Sequence, residues 1–151
     1  MAVRFIRKDK DPALRQKAKE IKDITPTILR LLDDMVETMD AAQGLGLAAP
    51  QVGIPKRIVV IRTGKNNLLE LINPVLICET GEEADVEGCL SFPGIYGQVP
   101  RAKDVQVEAL NREGKKIKIK GSGLLARALQ HEIDHLDGVL FVDKVEKFVE
   151  K

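Results

Sequence analysis

The chain has 151 residues, 24 basic and 23 acidic, for a formal net charge of +1. This length fits one domain over residues 1–151 that can bury a core without disulfide staples. The balanced charge, with no dense basic patch, argues against a direct nucleic-acid partner. The opening MAVRFIRKDKDP has no apolar h-region and no run approaches a membrane span, so the chain reads as cytoplasmic, with no membrane partner.

In chain order, Thr25-Pro26 supplies an N-cap and a first-turn proline. Ile28, Leu31, Leu32, Met35, Val36 and Met39 follow at helical spacing, with Met35 and Met39 read as core. This helix is expected to end near Gly44, a residue suited to a left-handed C-terminus. RIVVIR (57–62) and LLELINPVLIC (68–78) read as strands, with Pro74 marking an edge or irregularity and Cys78 as inert apolar packing. DVQVEALN (104–111) and KKIKIKG (115–121) read as a hairpin with Gly114 in its turn. The alternating lysines of its second strand form a solvated face that discourages edge pairing. From Ser122, the run SGLLARALQHEIDHLDG has helical periodicity, and Gly138 stands where a C-terminal glycine belongs. The closing KVEKFVEK reads as a short amphipathic helix or a frayed tail.

Three stretches carry chemistry. In QHEIDHLDG, His131 and His135 are four apart and so share one helix face, with Glu132 beside the first. H-E-x-x-H is the pattern in which two histidines hold a metal and the glutamate serves as general base. A catalytic site of this kind wants a third protein ligand. The chain has no other histidine, which leaves a carboxylate or one of the two cysteines, Cys78 and Cys89. Cys89 lies in EGCLSFPG, where Gly88 and Pro93-Gly94 argue against a regular buried strand, and a thiolate there is the better third ligand. The remaining stretch, GLGLAAPQVG (44–53), matches G-x-G-x-x-A, but it leaves a helix rather than a strand, and Pro50 and Gly53 oppose a following helix. Nucleotide binding is therefore rejected in favour of a glycine-rich loop that lets backbone approach a ligand, with the Gln51 amide as a donor.

Taken together, in this order and spacing, GLGLAAPQVG, EGCLSFPG and QHEIDHLDG resemble the three motifs of the peptide deformylases. The likeness runs from DPALR (11–15) through the helix at 25–43 to GVLFVD (138–143). It implies that Cys89, His131 and His135 bind the metal and that Glu132 is the general acid/base. It further implies that Gln51 and the Leu90 N–H stabilise an oxyanion, and that Gly46 lines the substrate channel. The implied partners are N-formylmethionyl nascent polypeptides, from which metal-bound hydroxide attack on the formyl carbon would release formate. The implied metal is Fe(II), although thiolate and imidazole ligands also accept Zn(II), Ni(II) or Co(II).

Leu45, Leu125 and Ala128 are expected to wall a methionine side-chain pocket. Tyr96 falls where many members carry a basic residue that meets the substrate peptide. Some members also continue into a longer C-terminal helix implicated in ribosome contact, whereas this sequence ends at Lys151, leaving ribosome docking open, like the oligomeric state. The expected fold is a single α+β domain with antiparallel strands around a central helix carrying H-E-x-x-H. Two other classes compete: a metallopeptidase cutting internal bonds, and a non-catalytic metal-binding domain.

Overall fold

In the computed structural model, which describes residues 2–64 and 66–150, two antiparallel sheets and two helices form an α+β fold. The first sheet has the order β1-β2-β3-β6-β7, from Gly46–Ala48, Ile58–Arg62, Leu68–Thr80, Asp104–Leu110 and Lys116–Ser122. The second pairs β4 (Glu83–Cys89) with β5 (Phe92–Arg101), and β5 with β8 (Lys147–Val149). Helix α1 spans Pro26–Ala41 and α2 spans Gly123–Leu136.

The Thr25 side chain caps α1 by accepting the Ile28 N–H at 3.3 Å. Its apolar stripe, including Leu32, Met35 and Met39, packs with Ile58 and Val60 of β2. The alternate β2 residues, Val59 and Ile61, pack with Leu129, Ile133 and Leu136 of α2. A strand covered on both faces reads as a continuous apolar run, which accounts for RIVVIR. Helix α2 is itself enclosed, with ten of its fourteen residues buried. Its apolar side meets the five-stranded sheet. Its polar side meets the three-stranded sheet through a hydrogen bond from Arg127 to Val99 O, and Gln130 bonds the Ala102 backbone just past the end of β5.

Several expectations hold in detail. Gly138 takes φ +73 just beyond α2, so close to Arg15 that a Cβ would lie 2.5 Å from the Arg15 carbonyl oxygen. The irregularity at Pro74 is a register shift between Ile72 and Val75, with Asn73 at φ +52. The Asn73 side chain bonds the backbone N–H and C=O of Ile21, each at 2.8 Å. Lys116, Lys118 and Lys120 are exposed on β7, at the end of its sheet.

Other expectations are corrected. The left-handed residue after α1 is Gln43 (φ +56), not Gly44. Gly44 instead makes room for Leu90, whose Cδ1 would lie 2.6 Å from a Cβ there. Cys78 is exposed, not buried. A register shift between Leu76 and Cys78 precedes its pairing with Gln106, which in turn pairs with Lys120, so the thiol shares the solvent side with the lysines. Within KVEKFVEK, whose Lys151 lies outside the described residues, Lys147–Val149 forms strand β8 rather than a helix, because the Tyr96–Gln98 stretch of β5 offers it a backbone ladder. Strands β1, β4 and β5 were not anticipated: glycine and proline hide their alternation.

Candidate metal centre

Cys89 ends β4 at a hairpin whose closing pair is Cys89 with Phe92. His131 and His135 stand one turn apart on α2, ring centroids 5.1 Å apart. The fold brings one ligand atom from each of these three residues within 4.8 Å of the others, with Cys89 Sγ 3.4 Å from His135 Nε2.

Glu87, two residues before the cysteine, accepts from His131 Nδ1 at 2.9 Å. That bond leaves His131 Nε2 as the ligand atom and fixes the ring, as carboxylates do for metal-binding histidines. Burial disfavours a charged Glu87, but His131 and Arg101 outweigh it and draw its pKa down to about 2. Burial likewise opposes charge on His131, yet Cys89, Glu87 and Glu132 overcome it and raise that pKa to about 10. Burial, His131 and Arg101 together push His135 well below its ordinary value. A pocket that stabilises one positive charge among a thiol and two carboxylates, beside a neutral imidazole, suits a divalent cation in place of a proton.

Glu132 lies beside the ligands. Its Oε1 is buried with no hydrogen-bond partner, and burial raises its pKa to about 7. Gly46 on β1 makes this placement possible, since a Cβ there would lie 2.6 Å from Glu132 Oε2. Gln51 belongs to a short 3-10 turn, Ala49–Val52, that follows β1. Its Oε1 accepts the Ala48 N–H at 2.9 Å, which aims Nε2 at Ser91 Oγ (3.0 Å) and Cys89 Sγ (3.5 Å).

A cleft of about 540 Å³ opens over these groups. Leu45, Gly46, Leu90, Tyr96 and Ala128 line it, as do Cys89, His131 and Glu132. Leu125 does not. It packs against the core cluster, while its neighbour Leu124, 59% exposed, takes the cleft position. The helix stripe Leu124–Ala128–Glu132, at four-residue intervals, faces the opening, and the expected Leu125 falls one residue off it. Sequence reasoning also gave no role to Glu87, Ser91, Arg101, Arg127 or Asp134, which reach the centre or its supports from β4, β5, a hairpin turn and α2. Only the place of Glu87 inside the EGC motif pointed to it.

A thiolate and two imidazoles converging beside a buried carboxylate with one unpartnered oxygen define a metallohydrolase type of centre. The family model for polypeptide deformylase matches residues 3–151. A peptide deformylase of Acetivibrio thermocellus is 59% identical over 151 residues, covering all of this chain and 88% of that protein. The structure resembles a peptide deformylase from Legionella pneumophila at TM-score 0.93 and 45% identity, covering 96% of this chain and 87% of that one. It also resembles one from Ehrlichia chaffeensis solved in complex with actinonin, at TM-score 0.94 and 38% identity, covering 97% and 91%. The chain belongs to the polypeptide deformylase family.

Proposed function

We propose that the protein is a metal-dependent hydrolase that removes the formyl group from N-formylmethionyl polypeptides, consuming water and releasing formate and a free amine. The carrying observation is the convergence of Cys89, His131 and His135 beside Glu132, whose carboxylate rests against Gly46 at the floor of a cleft. The whole chain acts as one catalytic domain, in the cytoplasm where its nascent substrates are made.

Cys89 Sγ, His131 Nε2 and His135 Nε2 would hold the metal, with Fe(II) the native ion and Zn(II), Ni(II) or Co(II) acceptable to the same donors. When bound, such an ion supplies a Lewis acid that lowers the pKa of water from about 15.7 towards 7. Glu132, with its pKa raised to about 7, takes the proton of the attacking water and returns it to the departing amine. The Gln51 amide and the Leu90 N–H donate to the oxygen on which negative charge develops. Leu45, Ala128 and Leu124 hold the methionine side chain, Gly46 admits the substrate backbone, and Tyr96 meets the peptide beyond it.

The test is formate release from a formyl-Met tripeptide by anaerobically purified protein, beside its Glu132→Ala variant. Release by the wild type, lost in a variant that keeps its metal, supports the reading. Cleavage of unformylated peptide would favour the peptidase class. Metal binding with no turnover would favour the binding domain.

A further inference from the structure

Every acceptor position of the Glu87 carboxylate is filled. Arg101 grips it side-on, Nε to Oε2 at 2.8 Å and Nη2 to Oε1 at 3.0 Å, while His131 Nδ1 takes Oε1 at 2.9 Å. The fourth bond comes from Arg127 Nη1 to Oε2 at 2.7 Å. A carboxylate offers about four lone-pair sites, so this one has none to spare.

Neutralising Glu87 requires one arginine, and Arg101 already supplies it. Arg101 is shared, however, because its Nη1 also donates to Asp134 at 2.5 Å. Arg127 holds the carboxylate from another side and is itself fixed, donating to Val99 O at 2.8 Å and Glu83 O at 2.7 Å. It lies four residues before His131 on α2, so guanidinium and imidazole rise from one helix face and meet the two oxygens of the same carboxylate.

We propose that Arg127 is a positioning residue for the metal centre. By pinning Glu87 Oε2 it fixes the plane of the carboxylate, hence the direction of the His131 Nδ1–H bond and the aim of Nε2 towards Cys89 and His135. Without it, Glu87 Oε2 loses one of its two donors, and that oxygen is left to Arg101, which the Asp134 ion pair also pulls. The imidazole then gains freedom to turn away from the ion. Direct partners of metal-binding histidines are worth about 10–100-fold in metal affinity, and Arg127 acts on that scale through one of them, Glu87.

This inference rests on the metal-centre reading above but not on the substrate, because its test is read without turnover. Zn(II) affinity is measured by competition with a chromophoric chelator, and the visible absorption of Co(II)-loaded protein is recorded, for wild type, Arg127→Met and Arg127→Lys. Arg127→Met should bind Zn(II) about 10–100-fold more weakly and shift the cobalt bands, and Arg127→Lys, which returns a charged donor to Glu87, should recover most of the loss. If the methionine variant fails to fold, Arg127→Gln, which keeps a polar end but no charge, gives the same readout. Affinity within about threefold of wild type and an unchanged cobalt spectrum, even with a lower Tm, would overturn the proposal and leave Arg127 a brace between strands. Weak metal binding by the wild type would sink the metal-centre reading itself, whereas tight binding without formate release would touch only the substrate.

Discussion

Adding one methyl group at Gly46 tests the centre most sharply. A Cβ there would lie 2.6 Å from Glu132 Oε2 and 3.0 Å from its Cδ and Cγ, whereas ordinary contact begins at 3.4 Å. The carboxylate must therefore retreat by about 0.8 Å, and as the end of a flexible side chain it can do so without breaking the fold. Gly46 sits in strand β1 and is not among the glycines at positive φ, so alanine meets no backbone penalty there. Misplacing a catalytic group by about 1 Å costs on the order of 100-fold, or about 2.7 kcal/mol of barrier. Gly46→Ala should therefore lose about 100-fold in kcat, keep its metal and change stability by less than about 1 kcal/mol. The assay is formate release at saturating formyl-Met peptide, with metal content and Tm measured on the same preparation. A variant that keeps kcat within about threefold would refute the reasoning, because the carboxylate it displaces would not be the group that moves the proton.

Other perturbations probe separate parts of the site. Gln51→Leu should lower kcat by about 100- to 1,000-fold, or about 2.7–4 kcal/mol of transition-state stabilisation, and undiminished turnover would remove Gln51 from the oxyanion site. Cys78 is exposed, so a thiol reagent should modify it promptly in the metal-loaded protein and reach Cys89 only after chelation; two fast thiols in the loaded form would count against Cys89 as a ligand. Iron-loaded protein should lose activity in air as Fe(II) beside a thiolate oxidises, and days of full aerobic activity would contradict a native ferrous ion. Far from the site, burial opposes charge on Asp34, but the Ala2 N–H and Arg4 outweigh it and hold its pKa below 3.8. A lowered folded-state pKa stabilises above the unfolded value and stops doing so as pH falls through the folded one. Asp34→Asn should thus melt below the wild type near neutrality, and the Tm gap should close as pH drops below 3.8; a gap that persists in acid would show that the charge is not its source.

The three candidate metal ligands and the carboxylate beside them were legible because they sit in contiguous motifs whose spacing is itself geometric. Histidines four apart on a periodic apolar run must share a helix face. Gly88 and Pro93-Gly94 set Cys89 apart as a ligand candidate, although the cysteine ends strand β4 and Pro93-Gly94 lie inside β5 rather than outside any strand. Both long helices, the doubly covered strand at 58–62 and the hairpin at 104–122 could be read for the same local reason: periodicity, caps and turn residues act within a dozen positions. Glu87 was printed inside a motif but carried no local sign of its task, since its partners are 14 to 44 residues away in sequence.

From the sequence alone, then, came the α+β class, the three metal-binding side chains and their carboxylate neighbour, all products of short-range pattern. The tertiary structure alone decided that Gly46 gives Glu132 its place, that Leu124 rather than Leu125 faces the cleft, that Cys78 is exposed, and that the last residues add a strand. It also gathered Glu87, Arg101 and Arg127 behind His131. These depend on which surfaces close over one another and on which backbone edges remain to be paired, and such choices are made between segments far apart in the chain, where no local period reaches.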